Sequence, residues 1–180
     1  MHERRFHGDP ERLRSAERLE LLEVERVVTL SLEGIAAASA LDVGTGTGVF
    51  AEALERHGLE VTGIDPNPEM LDAAARHAPQ GLFFQCAAED LPFADREFDI
   101  VLLAHVLHET DEPLRALREA RRVARQRVVI VEWPYVEEEP GPPLEERLRA
   151  EDIAGLVAEA GFAASDKPSL RHMELYRLAP

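Results

Sequence analysis

The sequence predicts an α/β fold: a seven-stranded, mostly parallel sheet with helices on both faces and an antiparallel last strand. Three observations predict it. Short apolar runs alternate with stretches of helical periodicity, the sequence sign of a parallel sheet built by crossovers. A glycine-rich turn, LDVGTGTG at Leu41–Gly48, follows the first run directly. Two short β-prone runs close the chain without an intervening helix, as a returning hairpin would.

Taken in order, Pro10–Ala38 reads as one or two helices, whose apolar faces come from Leu13, Leu19, Leu22, Val24, Val27, Val28 and Leu32. Ala40–Val43 is the first strand, and Val49–His57 the helix beyond the glycine turn, ended by Gly58. Glu60–Asp65 is the second strand. Asn67 or Pro68 starts the next helix, an Asx cap followed by a proline whose φ suits a first turn; it runs to about His77, before Pro79 and Gly81. Strands three and four are Leu82–Cys86 and Phe98–His105. Asp111–Glu112–Pro113 opens a helix through Ala124, and Arg127–Trp133 is strand five. Pro134–Pro143 is expected to be a loop, since its four prolines and one glycine cannot hold a ladder. Leu144–Gly161 reads as one helix, with a hairpin of Phe162–Pro168 and Arg171–Leu178 after it.

Composition bounds the function classes. The chain of 180 residues, 45% hydrophobic and 31% charged, is expected to form a single domain over 1–180, a helical lid segment over 1–38 and a core over 39–180. A net charge of −15 argues against a nucleic-acid binder, which needs a basic face. The arginines of Arg115–Arg127 read as a solvated helix face or, alternatively, an anion site. No apolar run approaches the ~18–20 residues that span a membrane, and no signal-peptide pattern is present, so the cytoplasm is the expected compartment. Cys86 is the single cysteine, which leaves no internal disulfide and no cysteine metal cluster; it reads as a small packed residue.

The glycine turn carries the chemistry. Gly44, Gly46 and Gly48 allow positive φ and a close ligand approach, and the loop N–H groups with the following helix start favour an anionic ligand group. Asp65, at the tip of strand two, is placed to accept bonds from two ribose hydroxyls. Together they describe a nucleoside-bearing ligand lying across the strand ends. A dinucleotide fingerprint is G-x-G-x-x-G, whereas here Val49 stands where its last glycine would be. Asp42, two residues before the first glycine, is positioned for a ligand amine, so an adenosine with an amino acid end fits better than a pyrophosphate.

The string resembles motif I of the class I S-adenosylmethionine-dependent methyltransferases, and the chain over Ala40–Phe162 is most similar to their type 11, quinone-biosynthesis-like branch. Three further segments carry the resemblance in order: GIDPNPEML at Gly63–Leu71, AAEDLPF at Ala87–Phe93 with EFDIV at Glu97–Val101, and LLAHVLHE at Leu102–Glu109. The resemblance implies a Rossmann-like fold and S-adenosylmethionine as cofactor, with S-adenosylhomocysteine as product. It also implies a cofactor site of Asp42, Gly44, Thr45, Gly46, Thr47, Gly48, Asp65, Pro66, Asn67, Met70, Ala88, Glu89, Asp90, Leu91, Ala104 and His105. Met70 equally suits a helix-face core. The family often has an acid where this chain has Ala87, which passes adenine recognition to Glu89, Asp90 and the backbone of Ala88–Leu91.

His105 and His108, after strand four, face the expected transfer site. They read as pocket-shaping residues, as a general base or substrate orienter, or as metal ligands, although no third ligand is assigned and no metal is expected. Phe6 and His7 in the lid, with His108, Trp133 and Tyr135, are the candidate acceptor contacts; Trp133 equally suits buried packing. The expected partner is a small-molecule methyl acceptor, with no nucleic acid and no membrane span. The competing functions are a non-catalytic module that binds the cofactor and a nicotinamide-dependent oxidoreductase.

Overall fold

The computed structural model describes residues 13–139 and 141–180. One sheet organises them, its seven strands in the order β3-β2-β1-β4-β5-β7-β6. The elements are α1 (Ala16–Leu21), α2 (Val24–Leu32), β1 (Ser39–Val43), α3 (Val49–Arg56), β2 (Glu60–Asp65), α4 (Pro68–His77), β3 (Leu82–Gln85), β4 (Phe98–Ala104), α5 (Pro113–Val123), β5 (Ala124–Glu132), α6 (Ala150–Ala160), β6 (Ala164–Asp166) and β7 (Glu174–Ala179). The first five strands are mutually parallel, and β7 runs antiparallel to both β5 and β6. Among the described residues no helix is long and apolar enough to cross a membrane.

Central strands here are apolar on both faces because both faces are covered. Along β4, Val101 and Leu103 pack with α5 and α6, whereas Ile100 and Leu102 pack with α2 and α3. Val128 and Ile130 of β5 join the first core, Val129 and Val131 the second. This period of two sorts one continuous apolar run between two cores. Asn67 caps α4 through its Oδ1, which accepts the Glu69 N–H at 3.0 Å, and Pro68 follows within the first turn.

One segment differs from the sequence expectation in kind. Leu144–Gly161 is not one helix: Leu144–Glu146 forms a 3-10 turn, Arg147 and Arg149 are extended, and α6 begins at Ala150. The break follows from Arg147, whose buried guanidinium donates to the carbonyls of Pro134, Val136, Glu138 and Pro142 and stacks on Trp133. A continuous helix would carry that side chain away from the loop it fastens. The β3–β4 connection carries no helix, and the sequence reading placed none there. Arg122 of α5 satisfies its carbonyls instead, donating to Phe93 O at 2.7 Å and Leu91 O at 2.9 Å. Arg125 pairs with Asp99, and Arg127 donates to Ser31 O and Glu33 O, so these three arginines are fastenings rather than a solvated face or an anion site.

Candidate functional site

The strand order reverses between β1 and β4, and the loops leaving these two strands diverge there, opening a crevice at the carboxyl ends. A cavity of about 570 Å³ occupies it, within the roughly 300–1,000 Å³ of small-ligand sites. Its wall is built from the loops after β1, β2, β3 and β4, with Leu13, Arg18 and Leu22 of the N-terminal helical region on one side.

The glycine loop is held from below. Thr45 N–H donates to Ile64 O at 2.8 Å, and Gly46 N–H donates to Asp65 Oδ2 at 3.0 Å. The other oxygen of Asp65 accepts the Asn67 N–H at 2.8 Å. One carboxylate at the end of β2 therefore fixes both the glycine loop and the start of α4, and it also lines the cavity. All three loop glycines have positive φ, but for different reasons. A Cβ on Gly44 would meet Val106 Cγ2 at 2.5 Å, and one on Gly48 would meet Ala74 Cα at 2.9 Å, so close packing demands those two. At Gly46 the nearest atom is Gly44 O at 4.0 Å. Its open side faces the cavity, as a cradle for a ligand requires.

Asp42 does not reach the cavity. It is buried beneath the loop, where its Oδ2 accepts the Thr45 hydroxyl at 2.7 Å. The expected contact with a ligand amine is thus replaced by a loop-positioning one. Burial pushes its carboxyl up to about 7, against the Thr45 hydrogen bond and helped by the Asp65 charge. Between the ordinary value of 3.8 and about 7, the folded chain holds a proton that the unfolded chain has lost, so this group makes stability fall as pH rises through that window. Asp42→Asn keeps an acceptor for Thr45 without the buried charge. It is expected to flatten that slope and stabilise the fold by about 1–2 kcal/mol at pH 8, less than the whole shift because a charge-assisted bond is lost. Urea unfolding at pH 5 and pH 8 checks this, and an unchanged slope would assign it to another group.

Gly44, Thr45, Gly46, Thr47, Pro66, Asn67, Met70, Ala88, Glu89, Ala104 and His105 line the cavity, as does Cys86, which the sequence suggested was merely packed. Gly48, Asp90 and Leu91 do not line it: Gly48 packs on α4, Leu91 is buried, and the Leu91 N–H is held by Glu119 Oε2 at 3.0 Å. Phe6 and His7 lie outside the described residues. Sequence reasoning missed Arg18, Val106, Glu109 and Thr110 on the cavity wall. Val106 and Glu109 lie inside the LLAHVLHE segment and Thr110 follows it, so the signal was there although none was singled out as a site residue; Arg18 had no local signal.

The two histidines part company. His105 leaves β4 with φ +60, a left-handed conformation uncommon outside glycine, and its N–H donates to Val131 O at 2.8 Å. Its ring lies against Trp133 with centroids 5.2 Å apart, and both ring nitrogens are buried without a hydrogen-bond partner. Burial depresses it to about 3, so it is neutral at physiological pH and a poor general base. His108 is withdrawn from the cavity. Its Nδ1 bonds Glu132 Oε2 at 2.8 Å, and its backbone N–H donates to Glu132 Oε1 at 3.3 Å. It braces the turn after β4 and is not an acceptor contact. Among the described residues no three His, Cys, Asp or Glu side chains gather in a way that could hold a metal ion.

Among the described residues, the expected aromatic acceptor contacts Trp133 and Tyr135 do not line the cavity. Trp133 is buried between Arg18, at 5.8 Å from the ring centroid, and Arg147, at 5.5 Å. Tyr135 is exposed away from the cavity, with Arg149 over its ring.

Comparison with known proteins shows the family and the fold. Residues 41–131, about half of the chain, match a family described as a methyltransferase domain. A demethylmenaquinone methyltransferase of Thermotoga maritima is 40% identical over 112 residues, covering 60% of this chain and 48% of that protein. An uncharacterised methyltransferase of Mycobacterium bovis is 42% identical over 90 residues, covering 50% and 37%. The matches thus span about half or less of these curated relatives. The crystal structure of a SAM-dependent methyltransferase from Aquifex aeolicus superposes with a TM-score of 0.84 at 26% identity, covering 95% of this chain and 98% of that one.

Proposed function

The chain belongs to the type 11 methyltransferase domain family, and on that premise we propose that it binds S-adenosylmethionine and methylates a small-molecule acceptor. The observation that carries the reading is Asp65: a carboxylate on the cavity wall, bonded to the glycine loop, opposite the open face of Gly46. Two polar groups of the wall fit a polar ligand as well. Thr47 Oγ1 and both ring nitrogens of His105 are buried without partners, a cost that a hydrogen-bonding ligand would relieve.

When bound, the cofactor supplies an electrophilic methyl group on a sulfonium. The protein's part is positioning, which is worth up to ~7–11 kcal/mol when the reacting atoms are well aligned. Asp65 would hold the ribose, and Met70, Pro66, Ala88 and Glu89 would hold the adenine. His105, neutral and with one N–H and one lone pair to offer, orients the acceptor rather than removing its proton. A cavity of about 570 Å³ shared between two ligands supports a small-molecule acceptor.

Calorimetric titration with S-adenosylmethionine, S-adenosylhomocysteine and NADH tests the reading. Micromolar binding of the first two and none of the third is expected. Binding of NADH alone would replace the reading with an oxidoreductase. Cofactor binding without turnover across an acceptor panel would favour a binding module.

A further inference from the structure

The two edges of the sheet differ in kind. The β6 edge is guarded: Asp166 pairs with Arg177, and Lys167 and Pro168 follow directly. The β3 edge has no such device. Residues 82–86 read LFFQC, without a charge, in a chain whose charged fraction is 31%. Leu82 and Phe84, 61% and 45% exposed, are two of the four large apolar side chains that the described residues leave open to solvent. Phe84 meets Phe93 edge-on at 6.2 Å, on the face of the sheet that α5 covers further in. The β3–β4 connection carries no helix, so that face stays open over the edge strand.

The backbone of this edge is open as well. Cys86 N–H donates inward to Asp65 O at 3.3 Å, and alternate residues of a strand direct their N–H and C=O groups to opposite sides. Those of Phe83 and Gln85 therefore point outward. An antiparallel β3 from a second copy, paired Phe83 to Gln85, takes up both residues of each strand and sets the two Phe84 rings together on a two-fold axis.

A four-residue strand alone is too small for a stable interface, and α4 supplies the rest. It lies over β2 and β3, so joining the edges places two copies of α4 antiparallel and about 10 Å apart, a helix-packing distance. Met70, Ala73 and Ala74 are its buried positions, and Gly48, at the start of α3, packs on Ala74. At about 3.6 residues per turn, Glu69, Asp72 and Arg76 then share the flank away from α3, above the open edge. All three are exposed, and among the described residues none of them forms an ion pair. This flank reads acid, acid, base along the helix, so it is complementary to itself when antiparallel: Asp72 of each copy meets Arg76 of the other. A second copy of the chain is the occupant that this charge pattern fits.

We infer that the chain forms a two-fold dimer through its β3 edges, joining two seven-stranded sheets into one, with α4 against α4 across the axis. The crevices at the carboxyl ends of the strands then open at opposite ends of the joined sheet, and each copy keeps its own.

Sedimentation equilibrium of the full chain across the micromolar range, at low salt, tests this, with a mass of twice 20.1 kDa expected. Phe84→Lys puts two like charges on the axis and is expected to weaken association by roughly 100-fold or more. Arg76→Glu is expected to weaken it by roughly 3–10-fold, and adding Asp72→Arg in the same chain should restore it to within about twofold. These positions are exposed, so thermal melting close to wild type is expected throughout. Should Phe84→Lys fail to fold, the Asp72 and Arg76 exchange decides. A wild type of 20.1 kDa at every concentration overturns the inference. So does a dimer that survives Phe84→Lys, or one lost instead in Val136→Lys, at an exposed apolar position remote in sequence. An Arg76→Glu loss that Asp72→Arg does not repair overturns the antiparallel α4 contact.

Discussion

Glu132→Ala is expected to destabilise the fold by about 3–5 kcal/mol, because it leaves the partner of a buried charged pair unmatched. Glu132 ends β5, and His108 lies in the turn after β4; both are buried, with a 2.8 Å bond between them. Burial alone would lower His108, but Glu132, by charge and by hydrogen bond, outweighs it, helped by Glu109 and Glu146, and holds the ring above 6.5. Burial alone would raise Glu132, but His108 outweighs it and holds the carboxyl below 4.5. The raised histidine contributes stability that is complete below 6.5 and is lost as pH rises through its folded value. The lowered glutamate contributes stability that is complete above 4.5 and is lost as pH falls through its folded value. The pair therefore contributes most between 4.5 and 6.5. Urea unfolding of Glu132→Ala against wild type at pH 6 should show the full loss, equivalent to a melting shift of about 10 °C in a chain of this size. Replacing both partners with apolar residues, Glu132→Leu with His108→Phe, should recover much of it, since no buried charge is then left alone. A single-variant loss below about 1 kcal/mol would show that water reaches the pair and that it does not brace the turn.

That pair also marks where sequence reasoning stops. The strand β2 was legible to the residue, because an apolar run ends on an acid and an Asx-proline start follows it. Local chemistry of this kind is written in neighbouring letters. His108 and Glu132 are separated by a helix and most of a strand, and no periodicity links them. Arg122, Arg125 and Arg127 had the spacing of a solvated face, because a sequence does not reveal which carbonyls or carboxylates a long side chain will find. Likewise Arg147 looked like one turn of a helix until Trp133 and four loop carbonyls claimed it. Of the three loop glycines, Gly44 and Gly46 line the cavity as expected and Gly48 does not; Val106 crowds Gly44 and Ala74 crowds Gly48, while Gly46 has nothing nearer than 4.0 Å. The site was legible where its parts are consecutive, in the glycine loop and the loop after β2. Arg18 was not, because it reaches the cavity wall from a separate helix.

Asp65→Ala should separate the loop-building and ligand-binding roles of the acid, and it carries the largest expected effect on affinity. Two losses combine. The Gly46 and Asn67 N–H groups lose their acceptor, so the glycine loop and the start of α4 are no longer tied to the end of β2. The ribose hydroxyls lose a charged acceptor, and hydrogen bonds to charged groups contribute about 1.5–3 kcal/mol each. Together these are expected to weaken S-adenosylhomocysteine by roughly 100-fold or more, read by calorimetry. Asp65→Asn distinguishes the roles. Its carbonyl oxygen replaces one backbone contact, but its amide presents donors where the other backbone N–H and the ribose hydroxyls need an acceptor. A large affinity loss in Asp65→Asn, with thermal stability close to wild type, would place the main effect on the ribose. Equal losses of stability and affinity would place it on the loop. Full affinity in both variants would remove Asp65 from the site, and with it the observation on which the cofactor reading chiefly rests.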